Sequence, residues 1–91
     1  MAKRITREEL YRRVKILNLN LNRPTDRWDG EGNANVGNYH LESQGGVGVS
    51  LSLTRSEGGS VKSVTHKMTK REMYNALGLA LEILGEERDR D

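Results

Sequence analysis

The side chains of this 91-residue chain that could do chemistry are two histidines, a set of serines and a cluster of cations. Neither His40 nor His66 has an Asp or Glu at a spacing that matches a recognised catalytic pattern. The chain has no Cys, and two histidines alone make a poor zinc site. The serines stand in predicted strands and turns, and none lies in a G-x-S-x-G elbow. We therefore expect no enzyme activity, no metal and no cofactor.

One candidate for anion binding precedes the predicted last helix. The cations His66, Lys67, Lys70 and Arg71 cluster there. A helix N-terminus also offers unpaired N–H groups and a positive dipole end, so this cluster could hold a phosphate of a nucleotide or a nucleic-acid backbone. The opposing interpretation is that Thr69 and Glu72 already fill this helix start.

A second group of cations lies on the predicted first helix and includes Arg12 and Arg13. Residues 1–27 hold eight Lys or Arg against three acids, although the whole chain has a net charge of only +2. A basic helix of this kind could approach nucleic acid. The alternative is that these two arginines form i,i+4 ion pairs with Glu8 and Glu9 on a solvated face.

Two similar heptapeptides indicate where the helices begin. Each reads apolar, Thr, two residues, Glu, apolar, Tyr, and they are Ile5-Thr6-Arg7-Glu8-Glu9-Leu10-Tyr11 and Met68-Thr69-Lys70-Arg71-Glu72-Met73-Tyr74. Thr is a natural N-cap, and Glu three residues later completes a capping box. The first helix is predicted from about Arg7 to about Leu21, fraying from Asn18 because Asn is a poor helix former. The last is predicted from about Lys70 to about Gly85, a residue that suits a helix end.

Three strands are predicted between the helices. The clearest alternates Val47, Val49, Leu51 and Leu53 with Gly48, Ser50, Ser52 and Thr54, which gives one aliphatic and one small polar face. Tyr39 and Leu41 mark a strand before it, and Val61 and Val64 mark a shorter third strand with a bulge or an edge. The predicted fold class is α+β: helix, three-stranded antiparallel β-meander, helix. Both helices are expected on the aliphatic face, with the polar face open or against a partner.

Length and composition predict a single domain over residues 1–91, with loose tails at 1–5 and 86–91 and a long loop at 22–37. Only 34% of the residues are hydrophobic, and without Cys there are no disulfides. A core this thin predicts a dimer or a higher oligomer. Leu79 and Ile83 lie off the core face of the last helix and are predicted interface residues. Trp28 is a third, unless it covers an edge of the core.

The order of several motifs resembles a family of small, uncharacterised proteins of tailed phages and prophages. The motifs are Asn35-Val36-Gly37-Asn38-Tyr39-His40-Leu41, Gly45-Gly46, Gly58-Gly59, His66 and Lys70-Arg71-Glu72-Met73-Tyr74. They follow the pattern N-x-G-x-Y-x-L, G-G, H and K-R-E-[LM]-Y over residues 5–85. This chain has Gln44 where an aromatic residue is usual and Thr65 where Gly is usual. The resemblance implies a phage origin and an accessory role in the host cytoplasm, and it implies no particular activity.

Three functions are compatible with these patterns. The first is a non-enzymatic phage accessory protein, an oligomeric binding module for a host or phage protein. The second is a nucleic-acid binder that uses the basic first helix. The third is a protein that binds a small ligand, a nucleotide such as a host immune signal, and so counteracts host immunity. No apolar run approaches the roughly 20 residues that cross a bilayer, so we expect no membrane partner.

Overall fold

The computed structural model describes residues 4–43 and 48–88 and confirms the α+β order of the elements. The helices are α1 (Arg7–Asn20) and α2 (Lys70–Arg88), and the strands are β1 (Tyr39–Ser43), β2 (Val49–Thr54) and β3 (Val61–Ser63). The strands form one antiparallel sheet in the order β1-β2-β3, as a meander requires.

Both helices begin at the predicted threonines. Thr6 Oγ1 accepts a hydrogen bond from Glu9 N at 3.2 Å. At α2 the capping box is reciprocal, because Thr69 N donates to Glu72 Oε1 at 2.9 Å and Glu72 N donates to Thr69 Oγ1 at 3.1 Å. These side chains satisfy N–H groups that a helix start leaves without partners.

The predicted end of α1 near Leu21 is confirmed, since the helix ends at Asn20 with Leu21 as its C-cap, whereas the predicted fraying from Asn18 and the predicted end of α2 are wrong. α1 does not fray at Asn18, because this residue is 1% exposed and its side chain is hydrogen-bonded to β1. α2 does not stop at Gly85 but continues to Arg88, so residues 86–88 belong to the helix and not to a tail. A glycine inside a helix costs only about 1 kcal/mol relative to Ala, and the next residues are good helix formers. Residues 89–91 lie outside the described residues.

Both helices pack on the same face of the sheet, as predicted. We call it the core face. The buried cluster draws on both helices, on β2 and on the segment before α1, and its members are Ile5, Leu10, Val14, Leu17, Val49, Leu51, Met73 and Leu77. Ile5 is only 8% exposed, so the predicted tail over residues 1–5 includes a core residue. Leu53 is only half-buried, and Val47 lies outside the described residues.

The opposite face of the sheet, which we call the polar face, carries His40, Glu42, Ser50, Ser52 and Thr54. This face was expected to be open or against a partner, and part of it is instead covered within the chain itself, since Ser52 and Thr54 are 3% and 1% exposed.

The loop between α1 and β1 is held against the sheet beside these residues, and Gly37 N donates to Thr54 O at 2.9 Å. Asn38 Nδ2 donates to Pro24 O at 2.8 Å, and Arg27 pairs with Glu42 at 3.4 Å. The loop is thus held to the sheet and is not a free appendage.

The chain bulges where it leaves β3, as the broken alternation predicts. Val64 N and Thr65 N both donate to Leu51 O, at 2.8 and 3.3 Å, and Leu51 N donates to the Thr65 hydroxyl instead of to a backbone oxygen. Regular pairing returns at Met68, which exchanges two backbone hydrogen bonds with Val49. The bulge therefore places the residues from Thr65 to Lys67 at the border of the polar face.

Candidate functional site

A groove of about 330 Å³ lies on the polar face, and we call it the serine groove. Its floor and walls come from all three strands and from the bulge after β3. The lining residues are Glu42, Ser50, Ser52, Val61, Ser63, Thr65, His66 and Lys67. Two of them, His66 and Lys67, belong to the predicted anion cluster. The groove therefore brings hydroxyls, a carboxylate and cations together.

Glu42, which lines this groove, pairs with His40, and neither residue was predicted as part of a site. His40 is 9% exposed, and its Nε2 lies 3.2 Å from Glu42 Oε1. Its Nδ1 lies 3.3 Å from the oxygen of Asn38, whose own amide donates to Pro24 O. Residues two apart on a strand share a face, so the spacing of His40 and Glu42 was the signal that could have found this pair.

This geometry does not form a Ser–His–acid relay. Ser52 is the cross-strand partner of His40, but both nitrogens of the imidazole are already placed against acceptors on Asn38 and Glu42. A catalytic base needs one ring nitrogen within hydrogen-bonding reach of the nucleophile. The imidazole therefore holds Glu42 in position and is not placed to activate Ser52.

The predicted anion cluster is divided between two surfaces. His66 and Lys67 line the serine groove, whereas Lys70 and Arg71 are exposed on the first turn of α2 and do not line it. The α2 start is occupied by Glu72, as the opposing interpretation held. The pKa of the Glu72 carboxyl lies below its ordinary value, mainly because of the Thr69 backbone N–H, then the Thr69 side chain, with a smaller effect of His66.

Arg12 and Arg13 line a different cavity, the interhelical groove between α1 and α2, which measures about 510 Å³. Arg13 is committed to the fold: its Nη1 donates to Tyr74 O at 2.8 Å, and its guanidinium lies 3.5 Å from the centre of the Tyr74 ring. Gly78 makes room for this guanidinium, since a Cβ there would collide with Arg13 Nη1. Arg12 is exposed beside Glu9 and Glu82, which line the same groove.

The three predicted interface residues are all exposed in the described chain. Leu79 and Ile83 are 59% and 52% exposed and lie one turn apart on α2. Trp28 is 48% exposed, and the edge of its ring rests on Gly59, where a Cβ would lie 3.0 Å from Trp28 Cη2. Trp28 thus partly covers the turn between β2 and β3 and is not a member of the core cluster.

Comparisons of the chain with protein-family models, with curated proteins and with solved structures gave no match. The resemblance to proteins of tailed phages therefore stays a prediction. Within residues 4–43 and 48–88, neither helix has the length and apolar character needed to span a membrane. The same residues contain no group of three His, Asp or Glu side chains that could hold a metal ion.

Proposed function

We propose that this protein is a non-enzymatic phage accessory protein that works as an oligomeric binding module. Its first partner is a second copy of the chain, which packs against the exposed side of α2. The observation that carries the proposal is the exposure of Leu79 and Ile83, two large aliphatic side chains one turn apart on the same helix. A host or phage protein is the further partner that the family resemblance implies.

The spacing along α2 suits pairing with another helix. Ala76, Leu79 and Ile83 are separated by three and four residues and share one side of α2, and we call them the α2 stripe. Spacings of three and then four residues place Ala76, Leu79 and Ile83 at the a, d and a positions of one heptad seam, and Ile at a with Leu at d favours two strands. The opposite side of α2 is already used, because Met73 and Leu77 are buried in the core. The stripe is therefore left for a contact outside the chain.

Nucleic-acid binding through α1 has less support. Arg13 is hydrogen-bonded to Tyr74, and the interhelical groove that it lines also contains Glu9 and Glu82. Affinity for nucleic acid depends on cations that are free to neutralise phosphates. The carboxylates beside these arginines oppose a phosphate backbone.

Light scattering coupled to size-exclusion chromatography tests the proposal with a matched pair of variants. Leu79→Lys combined with Ile83→Lys places two charges in the α2 stripe and should convert an oligomer to a 10.3 kDa monomer. Val36→Lys changes an aliphatic residue of similar exposure, 51%, in the loop before β1, and should leave the oligomer unchanged. An equal loss of mass in both variants, or an oligomer that survives the double substitution, would contradict the proposal.

A further inference from the structure

We propose that the serine groove binds a short zwitterionic peptide of two to three residues, or an amino-acid derivative of similar length. The first observation is Ser52, which lies in the floor of the groove. It is 3% exposed, and its hydroxyl makes no hydrogen bond with the described part of the chain. The residue is buried except where it borders the groove, and its oxygen is not among the enclosed, unpartnered atoms of the described residues, so this hydroxyl is available to a molecule in the groove. The Ser50 hydroxyl beside it also has no hydrogen bond to the described residues.

Opposite charges stand on the two sides of this floor. Glu42 lies on β1, and Lys67 lies beyond β3 at the other border of the groove. Neighbouring strands are about 4.8 Å apart, so β1 and β3 are separated by roughly 10 Å. An extended peptide covers about 3.3–3.6 Å per residue, so two or three residues span this distance. A ligand ammonium then meets Glu42, and its carboxylate meets Lys67 and His66.

The Glu42 carboxylate is held in place through one oxygen and can accept from a ligand cation through the other. His40 Nε2 and Arg27 Nη2 both contact its Oε1, at 3.2 and 3.4 Å. Its other oxygen, Oε2, accepts no hydrogen bond from the described residues. The two contacts already order the Glu42 carboxylate, so less side-chain entropy is lost when a ligand binds to its other oxygen. The carboxylate also opposes a ligand that is only anionic, which favours a zwitterion over a phosphate.

The groove has the dimensions of a small site. Its volume of about 330 Å³ is at the lower end of the roughly 300–1,000 Å³ typical of ligand sites. Val61 supplies an apolar contact, and the Thr65 hydroxyl, which accepts from Leu51 N and donates to His66 O, fixes the wall. The shape and the polar lining therefore suit a compact ligand with several hydrogen-bonding groups.

Amide chemical shifts of the full-length protein, followed by NMR, test this inference. The probes are triglycine, the same peptide with an acetylated N-terminus and an amidated C-terminus, and inorganic phosphate. Triglycine should shift the signals of Ser50, Ser52 and His66, and the blocked peptide should bind about tenfold or more weakly because both charges are gone. Glu42→Gln and Lys67→Gln should each weaken triglycine binding by about tenfold. Lys62→Gln is the matched control, because it removes a β3 lysine paired with Leu53 at a core-face position.

Three results would overturn the inference. One is equal binding of free and blocked triglycine, and another is phosphate binding that strengthens in Glu42→Gln. The third is the absence of shifts with every probe at about 10 mM, where even a ligand of millimolar affinity would be bound. Ser52→Ala should weaken binding while keeping the dispersed spectrum of a folded protein. Retention of triglycine binding in the Leu79→Lys and Ile83→Lys double variant separates this site from the proposed oligomer interface.

Discussion

Asn18 of α1 and Tyr39 of β1 are joined by two hydrogen bonds in opposite directions. Asn18 Nδ2 donates to Tyr39 O at 3.0 Å, and Tyr39 N donates to Asn18 Oδ1 at 2.9 Å. The side-chain amide offers the same donor and acceptor as a peptide group, so it takes the place of a neighbouring strand at the edge of β1. This pair fixes α1 against the sheet.

Replacing Asn18 by Ala should lower the free energy of unfolding by about 2–4 kcal/mol, because two backbone groups of Tyr39 lose their partners. Urea denaturation measures the change. Asn75→Ala is the matched control, since Asn75 is an exposed helical asparagine on α2. It should be neutral or slightly stabilising, because Ala is the better helix former. Similar losses in the two variants would mean that the Asn18–Tyr39 pair contributes little.

Thr54→Val should stabilise the protein by about 1 kcal/mol. The Thr54 hydroxyl is buried, and no atom of the described residues is its hydrogen-bond partner, so removing it ends a desolvation cost. Thr65→Val provides the contrast, since that hydroxyl accepts from Leu51 N and donates to His66 O. It should destabilise by about 1–2 kcal/mol. Thermal denaturation of both variants measures these two changes. A melting temperature of Thr54→Val below that of the natural protein would contradict the assignment of Thr54 as a buried hydroxyl without a partner.

Arg13 and Gly78 should be energetically coupled. In an Arg13→Ala background, Gly78→Ala should stabilise α2 by about 1 kcal/mol through helix propensity alone. In the natural chain the new Cβ collides with Arg13 Nη1. Gly78→Ala should therefore stabilise the protein less there than in the Arg13→Ala background, or destabilise it. A double-mutant cycle by urea denaturation measures the difference, which we expect to be about 1 kcal/mol. Equal effects of Gly78→Ala in both backgrounds would refute the coupling.

The capping box of α2 should make stability depend on pH in the acid range. The pKa of Glu72 is lowered from 4.5 in the folded protein, so the unfolded chain takes up this proton first as the pH falls. The stabilisation is therefore present above pH 4.5 and is lost as the pH falls through the lower, folded pKa. Glu72→Gln keeps a side-chain acceptor but cannot titrate. Melting temperatures between about pH 3 and pH 6 should converge for the two proteins as the pH falls, and parallel curves would argue against the cap.

The helix starts, the meander and the core face could be predicted because local rules determine them. Thr6 and Thr69 cap their own helices, and the alternation along β2 separates its two faces. The end of α2 and the conformation of Asn18 were harder to predict. Asn18 has low helix propensity, but its hydrogen bonds to Tyr39, 21 residues along the chain, decide its conformation.

The candidate site was predicted only in part, for a related reason. His66 and Lys67 could be selected as cations near a helix start, but their neighbours in the groove come from three strands. Glu42 contacts His40 because the two residues lie two positions apart on one strand. It contacts Arg27 because the loop before β1 is held against the sheet. The role of Arg13 depends on Gly78, 65 positions away, which no local pattern connects to it. Contacts between distant segments are set by the packing of the whole domain.

Self-association through the α2 stripe is the central claim, and sedimentation velocity of the unmodified chain tests it most directly. The experiment covers concentrations from about 1 μM to about 1 mM, which brackets the affinities of weak and moderate dimers. We predict a weight-average mass that rises with concentration to at least twice 10.3 kDa. A mass of 10.3 kDa at every concentration would contradict the claim.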